Sequence, residues 1–145
     1  MTEAISGVGT RFQRWNADTE EWENLSEVTA INGPDKSRGT IDVTNLNSLD
    51  GYREFISAIR DAGQISATMN FTRAGYDMMN NDFEDDDPKT YRILLPDPDE
   101  TTLVFEGLVT ELPMSIQVDS QITMDTVVKI SGKVDVQSGS STVVI

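Results

Sequence analysis

The sequence predicts a mainly β fold, an antiparallel sandwich or barrel with one or two short helices and a long projecting loop. Three observations predict it. Apolar and polar residues alternate in several short runs, as they do in strands with one face in water. Only two stretches carry helical spacing, and one long connection is rich in Gly, Pro, Asn, Ser and Asp. The length, 145 residues, suits a single domain spanning the chain.

The elements follow in order. Strands are expected over residues 8–15 and 22–31, joined by a turn at Asn16, Ala17, Asp18 and Thr19. Residues 33–49 form the long connection, with a strand-like centre at Thr40, Ile41, Asp42, Val43 and Thr44. A connection of this length is read as an ordered arm that projects from the domain. Tyr52, Phe55, Ile56 and Ile59 then fall at helical spacing. Asp50 is placed to cap such a helix, Arg60 to suit its dipole and Gly63 to end it. The next strand alternates Ile65, Ala67, Met69 and Phe71 with Gln64, Ser66, Thr68 and Asn70. A second helix is expected over residues 75–83, where Tyr76, Met79 and Phe83 share a face, before the acidic run 84–87 and Pro88. Strands 90–95 and 101–109 follow. The last strand, 121–133, sets Ile122, Met124, Thr126, Val128 and Ile130 on one face. Thr123, Asp125, Lys129, Ser131 and Lys133 lie on the other, and Val127 breaks the rule. Residues 137–145 read either as a flexible polar hinge with an apolar tip or as a last strand packed on its own domain.

Charge narrows the function. With 25 acidic and 11 basic residues the net charge is −14, which repels a phosphate backbone and disfavours adhesive nucleic-acid binding. The chain has no His and no Cys, which removes thiol nucleophiles, the usual zinc ligands and the side chain that titrates near neutrality. The N-terminal residues lack the basic start and apolar core of a secretory signal, no run is long enough to cross a bilayer, and synthesis in a cytoplasm is expected.

The remaining motifs fail in context. Asp97, Asp99 and Thr101 after an apolar strand imitate the nucleophile signature of haloacid-dehalogenase-type phosphatases. Another strand follows at once, so the segment reads as a hairpin turn. Asp82, Glu84, Asp85, Asp86 and Asp87 lack the order and the glycine of an EF-hand. Trp15 and Trp22 flank the first turn and read as cross-strand packing. The expectation is a non-enzymatic chain with no catalytic residue, cofactor or metal site.

The central segment carries a resemblance. Gly7-Val8-Gly9-Thr10 precedes Gly33-Pro34, Ser37-Arg38 and Ile41-Asp42-Val43-Thr44. Ser48, Asp50-Gly51-Tyr52-Arg53-Glu54-Phe55 and Asp61-Ala62-Gly63 follow before the alternating strand, and the last strand closes in Lys129-Ile130-Ser131-Gly132-Lys133. This succession resembles the major tail tube protein of long-tailed, siphophage-type bacteriophages, over almost the whole chain. The resemblance implies a β-sandwich or split-barrel subunit with a flanking helix. It also implies hexameric rings stacked into a hollow virion tail tube, assembled in the host cytoplasm around a tape-measure protein. Tail-tip and tail-terminator proteins would bound the tube, DNA would pass through it without sticking, and no membrane would be bound. Lys36, Arg38, Ile41, Asp42, Val43, Thr44 and Arg53 are then the inter-ring contact candidates. Gln64, Ser66, Thr68, Asn70, Thr123, Asp125, Lys129 and Ser131 are the lumen-facing candidates. The competing readings are the tube of a contractile injection system and a monomeric β-sandwich binding module.

Overall fold

The computed structural model describes residue 7 and residues 9–25 and 28–138. The strands are β1 (Arg11–Asn16), β2 (Glu21–Asn24), β3 (Val28–Asn32), β4 (Ser37–Asp42), β5 (Phe55–Asp61), β6 (Gln64–Asn70), β7 (Lys89–Leu94), β8 (Thr101–Glu111), β9 (Met114–Ser115) and β10 (Thr123–Ser138). One helix, α1 (Arg73–Glu84), lies between β6 and β7. Thr72 caps it, its hydroxyl accepting a hydrogen bond from the Gly75 amide at 3.1 Å.

Eight strands form one antiparallel sheet in the order β2-β1-β7-β8-β10-β6-β3, with β9 beside β10. The two edges of this path are β2 and β3, which are consecutive in the chain. Only residues 25–27 join them, so covalent geometry keeps the ends of the two edge strands within about 14 Å of each other. The sheet therefore curls back on itself into a barrel split along one seam. Its concave side is the core: Phe12, Ile65, Ala67, Met69, Tyr91, Ile93, Phe105, Met124, Val128 and Ile130 are buried there, with Met79 of α1. Phe12, Tyr91 and Phe105 pack ring to ring at centroid distances of 5.8 and 5.9 Å.

The alternating strands behave as their sequences require. In β6 and β10 the apolar set Ile65, Ala67, Met69, Met124, Val128 and Ile130 is buried, with Thr126 among it. Val127 is also buried, although the unbroken β6–β10 register sets it across from Ser66, on the opposite face to Val128. The β8–β10 register slips beside it, Val127 pairing with Glu111 and Val128 with Val109, so the extra residue, Thr110, lies on β8. Trp15 lies directly opposite Trp22 with ring centroids 5.1 Å apart, so the tryptophans are a cross-strand pair. Asn16 accepts hydrogen bonds from the amides of Asp18 and Thr19 and closes the turn between them. Asp97 accepts from the Thr101 amide at 2.6 Å, which makes the phosphatase-like segment a hairpin turn.

Three expectations are corrected. The stretch expected as one strand, 22–31, is two, because the chain leaves one edge of the barrel and re-enters at the other. Gln137 and Ser138 belong to β10 and pair with Thr102 and Thr101, whereas the rest of the expected tail, 139–145, lies outside the described residues. The largest correction is the first helix. Residues 55–61 are strand β5, paired antiparallel with β4 in a second, two-stranded sheet. Helical spacing was satisfied there by chance, while β-branched and aromatic residues found a partner strand. Asp50 sits at φ 58 in a 3₁₀ turn, Leu49–Gly51, and caps nothing.

Candidate functional site: an assembly surface

The arm is a β4–β5 hairpin, so the segment 33–49 is only its first limb. Its root is set by two glycines in the left-handed region. Gly33 has φ +107, and a Cβ there would sit 2.4 Å from the Gln64 carbonyl oxygen; Gly63 has φ +81, and its Cβ would sit 2.3 Å from that of Asp35. The limbs leave the barrel where the backbones of β3, β6 and their connections crowd together.

All seven inter-ring candidates sit on this hairpin or its approaches. Lys36 precedes β4; Arg38, Ile41 and Asp42 lie on it. Val43 and Thr44 extend the pairing, the Val43 amide donating to the Glu54 carbonyl at 2.9 Å and the Glu54 amide to the Thr44 hydroxyl at 2.8 Å. Arg53 lies just before β5 and pairs with Asp42 of its own arm at 3.1 Å. Hydrogen bonding by Thr44, followed by that of Arg53, holds the Asp42 carboxyl below the usual carboxylate range.

The arm buries little. Leu46 is fully exposed, and Ile59 is 91% and Tyr52 74% exposed; Ile41, Phe55 and Ile56 are about half exposed. Ile41 faces Ile56 across the strands, and Asp42 faces Phe55. Sequence reading missed Phe55, Ile56, Ile59 and Arg60 as surface residues because it placed them in a helix. The signal that could have found them is the enrichment in β-branched and aromatic residues.

The eight lumen candidates also come together. Asn70 pairs with Thr123, Thr68 with Asp125, and Gln64 with Lys129 on adjacent strands, while Ser66 is opposite Val127 and Ser131 opposite Glu106. They occupy the face turned away from the core. Lys129 is 3.4 Å from Asp61, whose carboxyl is held below its usual range by the Gly63 amide first and then by Lys129.

A polar cluster elsewhere has a different purpose. The Arg14 guanidinium donates to both carboxylate oxygens of buried Asp82, at 2.6 and 2.7 Å, and the Tyr91 hydroxyl donates to Asp82 at 2.7 Å. Burial, with the Asp82 charge behind it, raises the Tyr91 hydroxyl far above its ordinary value. Asp82 thus ties α1 to β1 and β7, and it is separated in role from the exposed acids 84–87. Arg92 lies 4.3 Å over the Trp22 ring and donates to Gln13.

Comparison with known proteins places this geometry. The lambda phage tail tube protein family matches residues 5–137. No curated protein sequence matches. Among solved structures, a chain from the tail of an empty gene transfer agent particle, refined with C6 symmetry, superposes with a TM-score of 0.77 at 17% identity, covering 93% of this chain and 100% of that one. A chain from the extended sheath–tube complex of an extracellular contractile injection system gives 0.69 at 14% identity, covering 96% and 95%. The SPP1 tail tube gives 0.66 at 9% identity, covering 96% and 82%. At such identities the structural likeness shows the fold.

Proposed function

The chain belongs to the lambda phage tail tube protein family, and from that premise we propose that its copies form hexameric rings stacked into the hollow tail tube that conducts DNA. Its role is structural and not catalytic, and its place is the virion tail. The observation that carries the proposal is an open, curled sheet whose outer edges, β2 and β3, are unpaired among the described residues, beside an arm that buries almost nothing of its own. A neighbouring copy can complete such edges, which also hides them from wrong partners. Around a ring this would join the sheets into one wall.

The polar face from Gln64 to Asn70 and Thr123 to Ser131 is read as the lumen lining, because a polar face on long paired strands needs water against it. A wall with net charge −14 per subunit favours passage of DNA over adhesion. The arm, including residues 33–49, is read as the contact to the adjacent ring. A tape-measure protein inside the tube and tail-tip and terminator proteins at its ends are the expected partners.

The test is removal of the arm. Replacing residues 37–61 with a short Gly-Ser linker should leave a folded barrel that no longer forms tubes by negative-stain microscopy. Normal tubes from that variant would refute the arm's part in assembly. Cysteines at Ser66 and Thr123, in a chain that has none of its own, should label with a bulky thiol reagent in free subunits and resist it in intact tubes. Rapid labelling in tubes would put that face outside.

A further inference from the structure

Four of the chain's 11 basic side chains meet at one place. Lys36, Arg38, Arg60 and Lys133 line a groove of about 680 Å³ between the arm root and the far half of β10. Among the described residues the only acid lining it is Asp61, which already faces Lys129. Arg38 lies directly opposite Arg60 across the β4–β5 pair. Like charges in that position destabilise a strand pair. Among the described residues neither arginine forms an ion pair, although the chain carries 25 acids. The groove also has apolar lining in Ile59, Ile130 and Val134, and Ile59 is 91% exposed.

We propose that in the assembled tube this groove receives the acidic run 84–87 of a second copy of the chain. The proposal rests on the reading of the arm as an inter-ring contact and names what the arm's root holds. The run begins with Glu84, the last residue of α1, and continues into the turn after it. Asp85 is engaged by Lys89 at 2.6 Å, whereas Glu84, Asp86 and Asp87 have no cationic partner among the described residues. Phe83, immediately before them, is 44% exposed and supplies an apolar side chain to meet Ile59. The other acidic segment, 97–100, is a poorer occupant because Asp97 is committed to its own turn through Thr101. Groove and run are different surfaces of one chain, so their contact is head-to-tail and propagates from copy to copy. Four cations against three unpaired carboxylates also explain how a chain this acidic can stack without prohibitive repulsion.

The experiment is a charge swap on the full chain. Arg38→Glu with Arg60→Glu should raise the critical concentration for tube formation about tenfold or more, since like charges facing each other in an interface oppose association. Circular dichroism should show the barrel still folded. Adding Glu84→Lys and Asp86→Lys to the same chain should restore assembly toward that of the parent. Unchanged assembly of the reversed variant, or failure of the swap to restore it, overturns the pairing. Should the reversed variant not fold, Arg60→Cys with Asp86→Cys decides: oxidised tubes should run as covalent multimers, and persistence of monomer overturns the proposal. If removal of the arm abolishes tubes while the charge reversal leaves them intact, the groove assignment fails and the arm's role stands.

Discussion

The barrel and the arm are opposite solutions to the same problem of satisfying a strand. In the barrel, apolar side chains of β6 and β10 close on a core, and Asp82, the one deeply buried carboxylate among the described residues, has Arg14 and Tyr91 around it. In the arm, two strands pair only with each other, Ile41 and Ile56 remain half exposed, and Arg38 faces Arg60. An isolated two-stranded hairpin is marginal in water. The barrel buries its apolar face within the one chain and leaves only strand edges open, whereas the arm leaves most of its side chains exposed. That difference teaches where to test for function: the paired cluster around Asp82 should answer for stability, and the exposed arm for assembly.

The comparison breaks first at Asp82. Asp82→Ala leaves the Arg14 guanidinium with Glu23 at 3.8 Å as its nearest acid and the Tyr91 hydroxyl with no carboxylate. Removing one partner of a buried pair should cost about 3 kcal/mol of barrel stability, read by urea denaturation. A loss near zero would show that the cluster is not what ties α1 to the sheet.

A subtler variant sharpens the contrast. Ile41→Thr with Ile56→Thr keeps β-branched residues in the arm and removes its exposed apolar pair. Monomer stability should stay within about 0.5 kcal/mol, as for surface substitutions generally, while tube formation drops in a sedimentation assay. Destabilisation comparable to that at Asp82 would mean that the arm is folded into the monomer's own stability.

The smallest effect concerns pH. Asp42 is depressed by Thr44 and then by Arg53. Its support for the arm is therefore complete above the ordinary aspartate value of about 3.9 and is lost as pH falls through the lower folded value. Carboxyl-carbon NMR should place its midpoint below that ordinary value, and Thr44→Ala should raise it more than Arg53→Ala does. An ordinary midpoint in the free subunit would show the arm's pairing to be frayed there.

What could be read from the residues divides along the same line. The faces of β6 and β10 were legible because a period of two assigns each side chain without reference to a partner. Three pairs of the candidates on them, Asn70 with Thr123, Thr68 with Asp125 and Gln64 with Lys129, meet across one ladder. The two hairpin turns were legible because Asn16 and Asp97 close their own backbones. Strand β5 was not: Tyr52, Phe55, Ile56 and Ile59 satisfy a helical spacing equally well, and only β4, 13 or more residues earlier, selects the extended form. Arg53 was likewise a free cation in sequence and an intramolecular partner of Asp42 in space.

The sequence by itself determined the β class, the buried and wet faces of the long strands, the absence of thiol and imidazole chemistry, and the acidic character. Each is a property of local period or composition. The tertiary structure alone decided that β2 and β3 sit at opposite edges of a split barrel, that the arm is a hairpin, and that Lys36, Arg38, Arg60 and Lys133 share a groove. Those depend on which distant segments pair, and pairing between distant segments is settled by the packing of the whole chain.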